Sequence, residues 1–265
     1  MLPATGSVLG IDVGWSLKAR SSAACRLDWD DTGVRWFITR FNAGDSDRRA
    51  GVLAAMAGHH LLAAAFDGPL RGDLKQIDRY RQCERQLSGR AVRDAIGKLA
   101  QSNSGNGLKL NAATNDCAGI VLDHGNLAAA GHRHAIHKRA IAEAFPNSFL
   151  GLMLADPAPF KGGRGSRSDR YYMALAQDGT LERLVQHHLP GRLVPGFSAI
   201  TNHDDRAALI CALTALGIAN NDYLAVGDSD GWIILPPPSF IASWAQPIVR
   251  DWNEFGDAPV MTALS

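Results

Sequence analysis

The sequence is short of most features that announce a function. Its four cysteines, Cys25, Cys83, Cys117 and Cys211, lie far apart with no Cys-x-x-Cys pair. Their spacing excludes a zinc knuckle, and with no sign of secretion we expect reduced thiols in a cytoplasmic protein. An excess of charge is also missing. Lys and Arg number 27 against 26 Asp and Glu, a formal net charge of +1. No global field draws the chain to DNA or anionic lipid, and any nucleic-acid contact must be local. No apolar run approaches the ~18 residues of a membrane helix. The longest candidate, residues 52–66, is interrupted by Gly58, His59 and His60. The opening MLPATGSVLGIDVGW lacks a charged leader region and carries Asp12 inside its apolar run, so no targeting segment and no membrane partner are expected.

What is present is an ordinary globular composition, 46% hydrophobic and 20% charged over 265 residues, enough to bury about 70–75% of the unfolded surface. Residues 8–13 form a short apolar run closed by Gly14 and predict a buried strand. Residues 21–27 and 34–41 predict two more, joined through the turn-rich Asp28-Trp29-Asp30-Asp31-Thr32-Gly33 into an antiparallel meander. A helix over 46–58 leads to the continuous apolar run 61–66, which reads as a central parallel strand covered on both faces. Helices are expected over 76–87, 91–100 and 112–130, a fifth strand over 139–145, and a strong buried helix over 203–216. A hairpin of residues 223–226 and 232–235 closes the chain. There is no internal repeat. The expectation is one α/β domain over 1–265 with a mixed five-stranded sheet flanked by helices, a mostly helical insertion around 72–137, a basic Gly/Pro-rich mobile loop over 156–170 and a C-terminal hairpin.

Acidic residues fall where these elements end. Asp12 closes the first strand, and a carboxylate there is unfavourable unless it is paired or binds a cation. Asp67, in Phe66-Asp67-Gly68-Pro69, follows the central strand. If the two strands are adjacent and parallel, Asp12 and Asp67 share one carboxyl edge about 4.8 Å apart. Ionised carboxylates that close repel, and a divalent cation relieves the repulsion. Glu143 lies on the fifth strand, where taken by itself it reads first as a strand Glu neutralised by Arg139 or a distant Arg. Asp204 sits in the first turn of the 203–216 helix, with Thr201-x-x-Asp204 resembling a capping box.

Taken in order, Gly10-Ile11-Asp12-Val13-Gly14-Trp15, Phe66-Asp67-Gly68-Pro69-Leu70, Glu143-Ala144-Phe145-Pro146 and the run His203-Asp204-Asp205-Arg206 through Ala215 resemble an uncharacterised prokaryotic family of predicted ribonuclease-H-like nucleases. The closing Gly231-Trp232-Ile233-Ile234-Leu235-Pro236 fits that family's terminal hairpin. The resemblance implies a ribonuclease-H-like fold and a phosphodiester hydrolase acting on DNA or RNA. Asp12, Asp67, Glu143 and Asp204 would be its catalytic and metal-binding residues, with Mg²⁺ or Mn²⁺ as cofactor. Two ions would activate water and stabilise the leaving oxygen. The helix segment is similar to the Asp-x-x-Asp helix of Holliday-junction resolvases, but the second acid of that spacing falls on Ala207. Between the two adjacent acids, the match selects Asp204 to face Asp12 and Asp67 and leaves Asp205 to solvent or a basic neighbour.

Other residues support a nucleic-acid partner less directly. Lys161, Arg164 and Arg167 in the basic loop are candidate phosphate contacts. His132, His134 and His137 lie beside basic residues in a spacing that matches no standard zinc pattern. Arg79, Arg81 and Arg85 with Asp78 and Glu84 read as helix-surface ion pairs. Trp15 and Trp29 fit core packing better than base stacking. Two rival readings stand beside the nuclease. Asp12-Val13-Gly14-Trp15-Ser16 also resembles the first phosphate loop of actin-like sugar kinases and ATPases. Ala207 and the near-zero charge suit a catalytically inactive binding protein on the same scaffold.

Overall fold

The computed structural model describes residues 2–97, 102–130, 138–162, 165–254 and 261–262. Strand β1 (Gly6–Asp12) is buried over Ser7–Ile11 and carries apolar residues on both faces. Such a strand belongs in a sheet interior, and it pairs antiparallel with β2 (Ser22–Trp29) and parallel with β4 (Ala63–Asp67). β3 (Val34–Phe41) alternates buried and exposed residues as an edge strand does, and pairs antiparallel with β2. Helix α1 (Asp45–Met56) crosses from β3 to β4.

Beyond β4 the chain runs through α2 (Gln82–Leu87), α3 (Arg90–Ile96) and α4 (Gly105–His124) into β5 (Ile141–Ala144), which pairs parallel with β4. Three helices then follow, α5 (Pro146–Met153), α6 (Arg167–Gln177) and α7 (Thr180–His188), before the long α8 (His203–Asn220). Strands β6 (Leu224–Asp228) and β7 (Gly231–Leu235), α9 (Gln246–Glu254) and the two-residue β8 (Met261–Thr262) complete the chain.

The protein is a mixed α/β structure, but its sheet exceeds the expected five strands. The order is β3-β2-β1-β4-β5-β7-β6, with β8 added at the β6 edge. The terminal hairpin is part of the sheet because β7 pairs parallel with β5, Glu143 opposite Ile233 and Ala144 opposite Ile234. The sequence offers no signal for that long-range pairing.

The sheet divides the core in two. On one face, Leu9, Ile11, Ala64 and Phe66 pack with Val52 of α1 and Cys117 of α4. On the other, Val8, Ala63, Ala65 and Ala144 pack against α8 and the α5–α7 layer. Gly10 sets how closely α8 can lie on β1: a Cβ there would come within 2.0 Å of the Ala212 backbone nitrogen and 2.3 Å of the Ala208 carbonyl oxygen. No side chain fits between them, so helix and strand backbones are in direct contact. All four cysteines are buried and free. Among the described residues no helix is long and apolar enough to cross a membrane.

Candidate functional site

Parallel pairing of β1 and β4 sets Asp12 directly opposite Asp67 as the last residues of both strands. Facing residues on neighbouring strands project to the same side of a sheet, so both carboxylates emerge at one carboxyl edge, where open α/β sheets bind ligands. The same face carries Gly10, and therefore α8. Asp204 lies four and eight residues before Ala208 and Ala212, the two residues that bracket Gly10. One helical row thus runs from the Gly10 contact to the Asp204 position. Asn202, not Thr201, caps the helix: its side-chain oxygen accepts from the Asp204 and Asp205 backbone N–H groups at 2.9 and 3.2 Å. Asp204 is therefore left free of the expected capping duty.

The acids differ sharply in what neutralises them. Asp205 receives a two-pronged contact from Arg40, with Nε and Nη2 at 2.6 and 2.5 Å from its two oxygens. Glu143 is also engaged. Arg81 donates to both its oxygens at 2.6 and 2.7 Å, and the Leu70 N–H donates at 2.9 Å. Arg81 is 1% exposed and also holds Glu84 at 3.1 Å. The expectation of a helix-surface ion pair at Arg81 is therefore overturned: α2 begins only at Gln82, and the arginine turns inward to the sheet. Glu143, expected as a metal ligand, is instead the partner of a buried guanidinium. Its register opposite Phe66 also sets it one residue back from the edge that ends in Asp67. Among the described residues, Asp12, Asp67 and Asp204 have no ion pair with any Lys or Arg.

The electrostatics follow from that contrast. Burial pushes the Asp12 carboxyl well above its ordinary range, and the charges of Asp67, Asp204 and Asp205 add to it in that order. Asp67 is pushed up to about 7 by burial and then by Glu143, while His203 opposes the rise. Cys211 lies against both acids: burial raises its thiol first, then the fields of Asp67 and Asp12. Asp12 feels the charges of Asp67 and Asp204, although the oxygens of the three carboxylates do not all lie within 4.8 Å of one another. A neutral form, or a bound cation, is what removes the repulsion.

Several neighbours escaped sequence reasoning. His203 is near enough to lower Asp67, and its Nδ1 lies 3.0 Å from Asp169 at the start of α6. Asp169 also holds Arg206 at 3.1 Å. Only the adjacency of His203 to Asp204 hinted at this, because Asp169 lay in a segment read as loop. That basic loop is partly helical. Arg167 opens α6 and donates to the Lys161 carbonyl at 3.3 Å, while Arg170 donates to Gly165 and Phe160 carbonyls at 3.0 Å each. Lys161 is exposed, whereas Arg167 is spent on the loop's own backbone. Arg164, like His132, His134 and His137, lies outside the described residues. The tryptophans divide: Trp29 is 2% exposed and donates to the Pro3 carbonyl, whereas Trp15 is 48% exposed and not a core residue. No protein family, curated protein or solved structure matches this chain.

Proposed function

We propose that the chain is a divalent-metal-dependent nuclease built on a ribonuclease-H-like sheet. The observation that carries this reading is that Asp12, Asp67 and Asp204 lie at one strand edge with no Lys or Arg ion pair among the described residues, beside two acids, Asp205 and Glu143, that each have one. A stability-driven site would have neutralised all five. An all-oxygen donor set at a half-buried edge suits Mg²⁺ or Mn²⁺ better than zinc. Acids on strands one and four and on the long helix coincide with the positions the family resemblance implies.

Asp12 and Asp67 would hold the cation, with Asp204 closing the set from the α8 side. The bound cation would supply Lewis-acid polarisation of a phosphodiester and a more acidic water. Glu143 is a positioning residue here: through Arg81 and Leu70 it fixes the chain that follows Asp67. Substrate contacts are available on the loop after Asp12. Trp15 and Leu17 are 48% and 72% exposed, and Lys18 and Arg20 are exposed beside them. The loop is pinned by Ser16, whose carbonyl accepts from Ala43 N–H at 2.8 Å and whose hydroxyl accepts from Ala19 N–H at 3.0 Å. An exposed indole with adjacent cations suits an unpaired base and its phosphates.

A second reading, a binding protein on the same scaffold, draws on Ala207 and on Glu143 being committed to Arg81. Cleavage assays separate the two. Labelled single-stranded DNA, duplex DNA, RNA and a branched junction should be incubated with Mn²⁺ and with EDTA. The nuclease reading expects Mn²⁺-dependent cleavage of at least one substrate and its loss in Asp12→Asn. Binding without cleavage in every case rejects it.

A further inference from the structure

A second cluster of ligating side chains lies where α7 and α8 both end. His187 and His188 are the last residues of α7, and Asp222 follows the left-handed cap Asn221 of α8. One ligating atom from each of the three lies within 4.8 Å of the others. His187 Nε2 is 2.6 Å from Asp222 Oδ2, and the His187 ring is steadied edge-on by Phe240 with centroids 5.4 Å apart. From these residues we infer a late first-row transition-metal site, zinc in practice, formed by His187, His188 and Asp222 and separate from the acidic strand edge.

Proximity alone would leave an ordinary His–Asp pair. The independent observation is His188, which is 4% exposed and whose Nε2 has no hydrogen-bond partner among the described residues. A buried imidazole nitrogen without a partner is unfavourable unless something occupies it. Its other nitrogen, Nδ1, lies 3.2 Å from the amide nitrogen Nδ2 of Asn220. A half-turn of that amide would present its oxygen instead, so that Nδ1–H donates and the Nε2 lone pair is open. That is the arrangement by which outer groups orient metal-bound histidines.

Surrounding charge favours a cation too. α7 and α8 present their C-terminal ends here, and the negative end of each helix dipole favours positive charge. Two imidazoles and one carboxylate suit zinc, copper or nickel rather than Mg²⁺. Three protein ligands leave a tetrahedral position for water. His187 and Asp222, with side chains 39% and 32% exposed, leave the site open to solvent. A bound ion would clamp the end of α7 to the turn between α8 and β6.

The test uses the full chain stripped with a chelator, titrated with Zn²⁺ by calorimetry and with Co²⁺ by visible absorption. It is run in wild type and in Asp67→Asn, so that the acidic edge plays no part. The inference expects one zinc equivalent in both proteins and a tetrahedral cobalt spectrum. His187→Ala and Asp222→Asn, both at partly exposed positions, should each weaken zinc binding at least tenfold while keeping the wild-type circular dichroism. His188→Ala should abolish binding, and the two surface variants carry the test should that protein fail to fold. Absence of zinc binding in wild type overturns the inference, as does binding unchanged by both His187→Ala and Asp222→Asn. The latter result would move the zinc elsewhere, for instance to His132, His134 and His137.

Discussion

Asp67→Asn should stabilise the metal-free protein at pH 8 while removing its response to Mn²⁺. The Asp67 carboxyl rises from an ordinary 3.8 to about 7, and Asp12 moves in the same direction. A carboxyl raised on folding contributes stability that is fully present below its unfolded pKa and is lost as pH rises through the folded one. The metal-free wild type therefore weakens between about pH 4 and pH 7 and is weakest above that window. The full rise at Asp67 is equivalent to about 4 kcal/mol. Solvent reaches this half-buried edge and the two acids share one field, so we expect about 1–2 kcal/mol to be regained in the variant. For a chain of this size that is roughly 3–6 °C in melting temperature. Thermal melts in EDTA from pH 4 to pH 8 should show Asp67→Asn above wild type at pH 8, with the gap closing toward pH 4. Mn²⁺ at pH 8 should raise the wild type and leave the variant unmoved. A variant less stable than wild type at pH 8, or a gap that does not change with pH, would refute the reasoning. Either result would mean that Asp67 makes a stabilising contact rather than bearing an uncompensated charge.

Other residues give independent checks. Gly10→Ala should lose about 3 kcal/mol or more in urea denaturation, because the new Cβ meets α8 backbone at 2.0 Å and neither element can yield cheaply. Gly119→Ala, where a Cβ meets nothing within 4 Å inside α4, should instead be neutral or stabilise by about 0.5–1 kcal/mol. Arg81→Met strands the buried Glu143 and Glu84 and should lose about 3–5 kcal/mol, with part of the loss regained when Glu143→Gln is added. Trp15→Ala should weaken binding of single-stranded oligonucleotides by about 1–3 kcal/mol without altering the melting temperature, measured by fluorescence anisotropy in EDTA.

The parts of the fold that could be read in advance are those whose signal is local. β1, β4 and α8 are continuous apolar runs ended by acids or a cap, and both β1 and β4 stop at the aspartate that closes each run. What was illegible depends on partners far along the chain. Arg81 and Glu143 are 62 residues apart, and nothing near Arg81 distinguishes it from the surface arginines around it. β7 joins the sheet by pairing with β5 across ninety residues, so a hairpin signal could not place it. α5 went unseen because Pro146 reads as the end of a strand, whereas it opens the helix at its first position. α6 was hidden by the glycines and arginines before it, and with it Asp169, the partner of His203. Of the site, Asp12 and Asp67 were visible as strand ends. Periodicity did not separate Asp204 from Asp205; the resemblance selected Asp204, and the partner of Asp205, Arg40, lies 165 residues away.

The proposed nuclease chemistry requires that Asp12, Asp67 and Asp204 bind a divalent cation. The most direct measurement is a Mn²⁺ titration followed by electron paramagnetic resonance, in a His187→Ala background so that the α7–α8 cluster is silent. Saturable binding is expected in that background, retained in Asp205→Asn and lost in Asp12→Asn and Asp67→Asn. Failure of the parent to bind Mn²⁺, or binding that survives Asp67→Asn unchanged, would contradict the assignment.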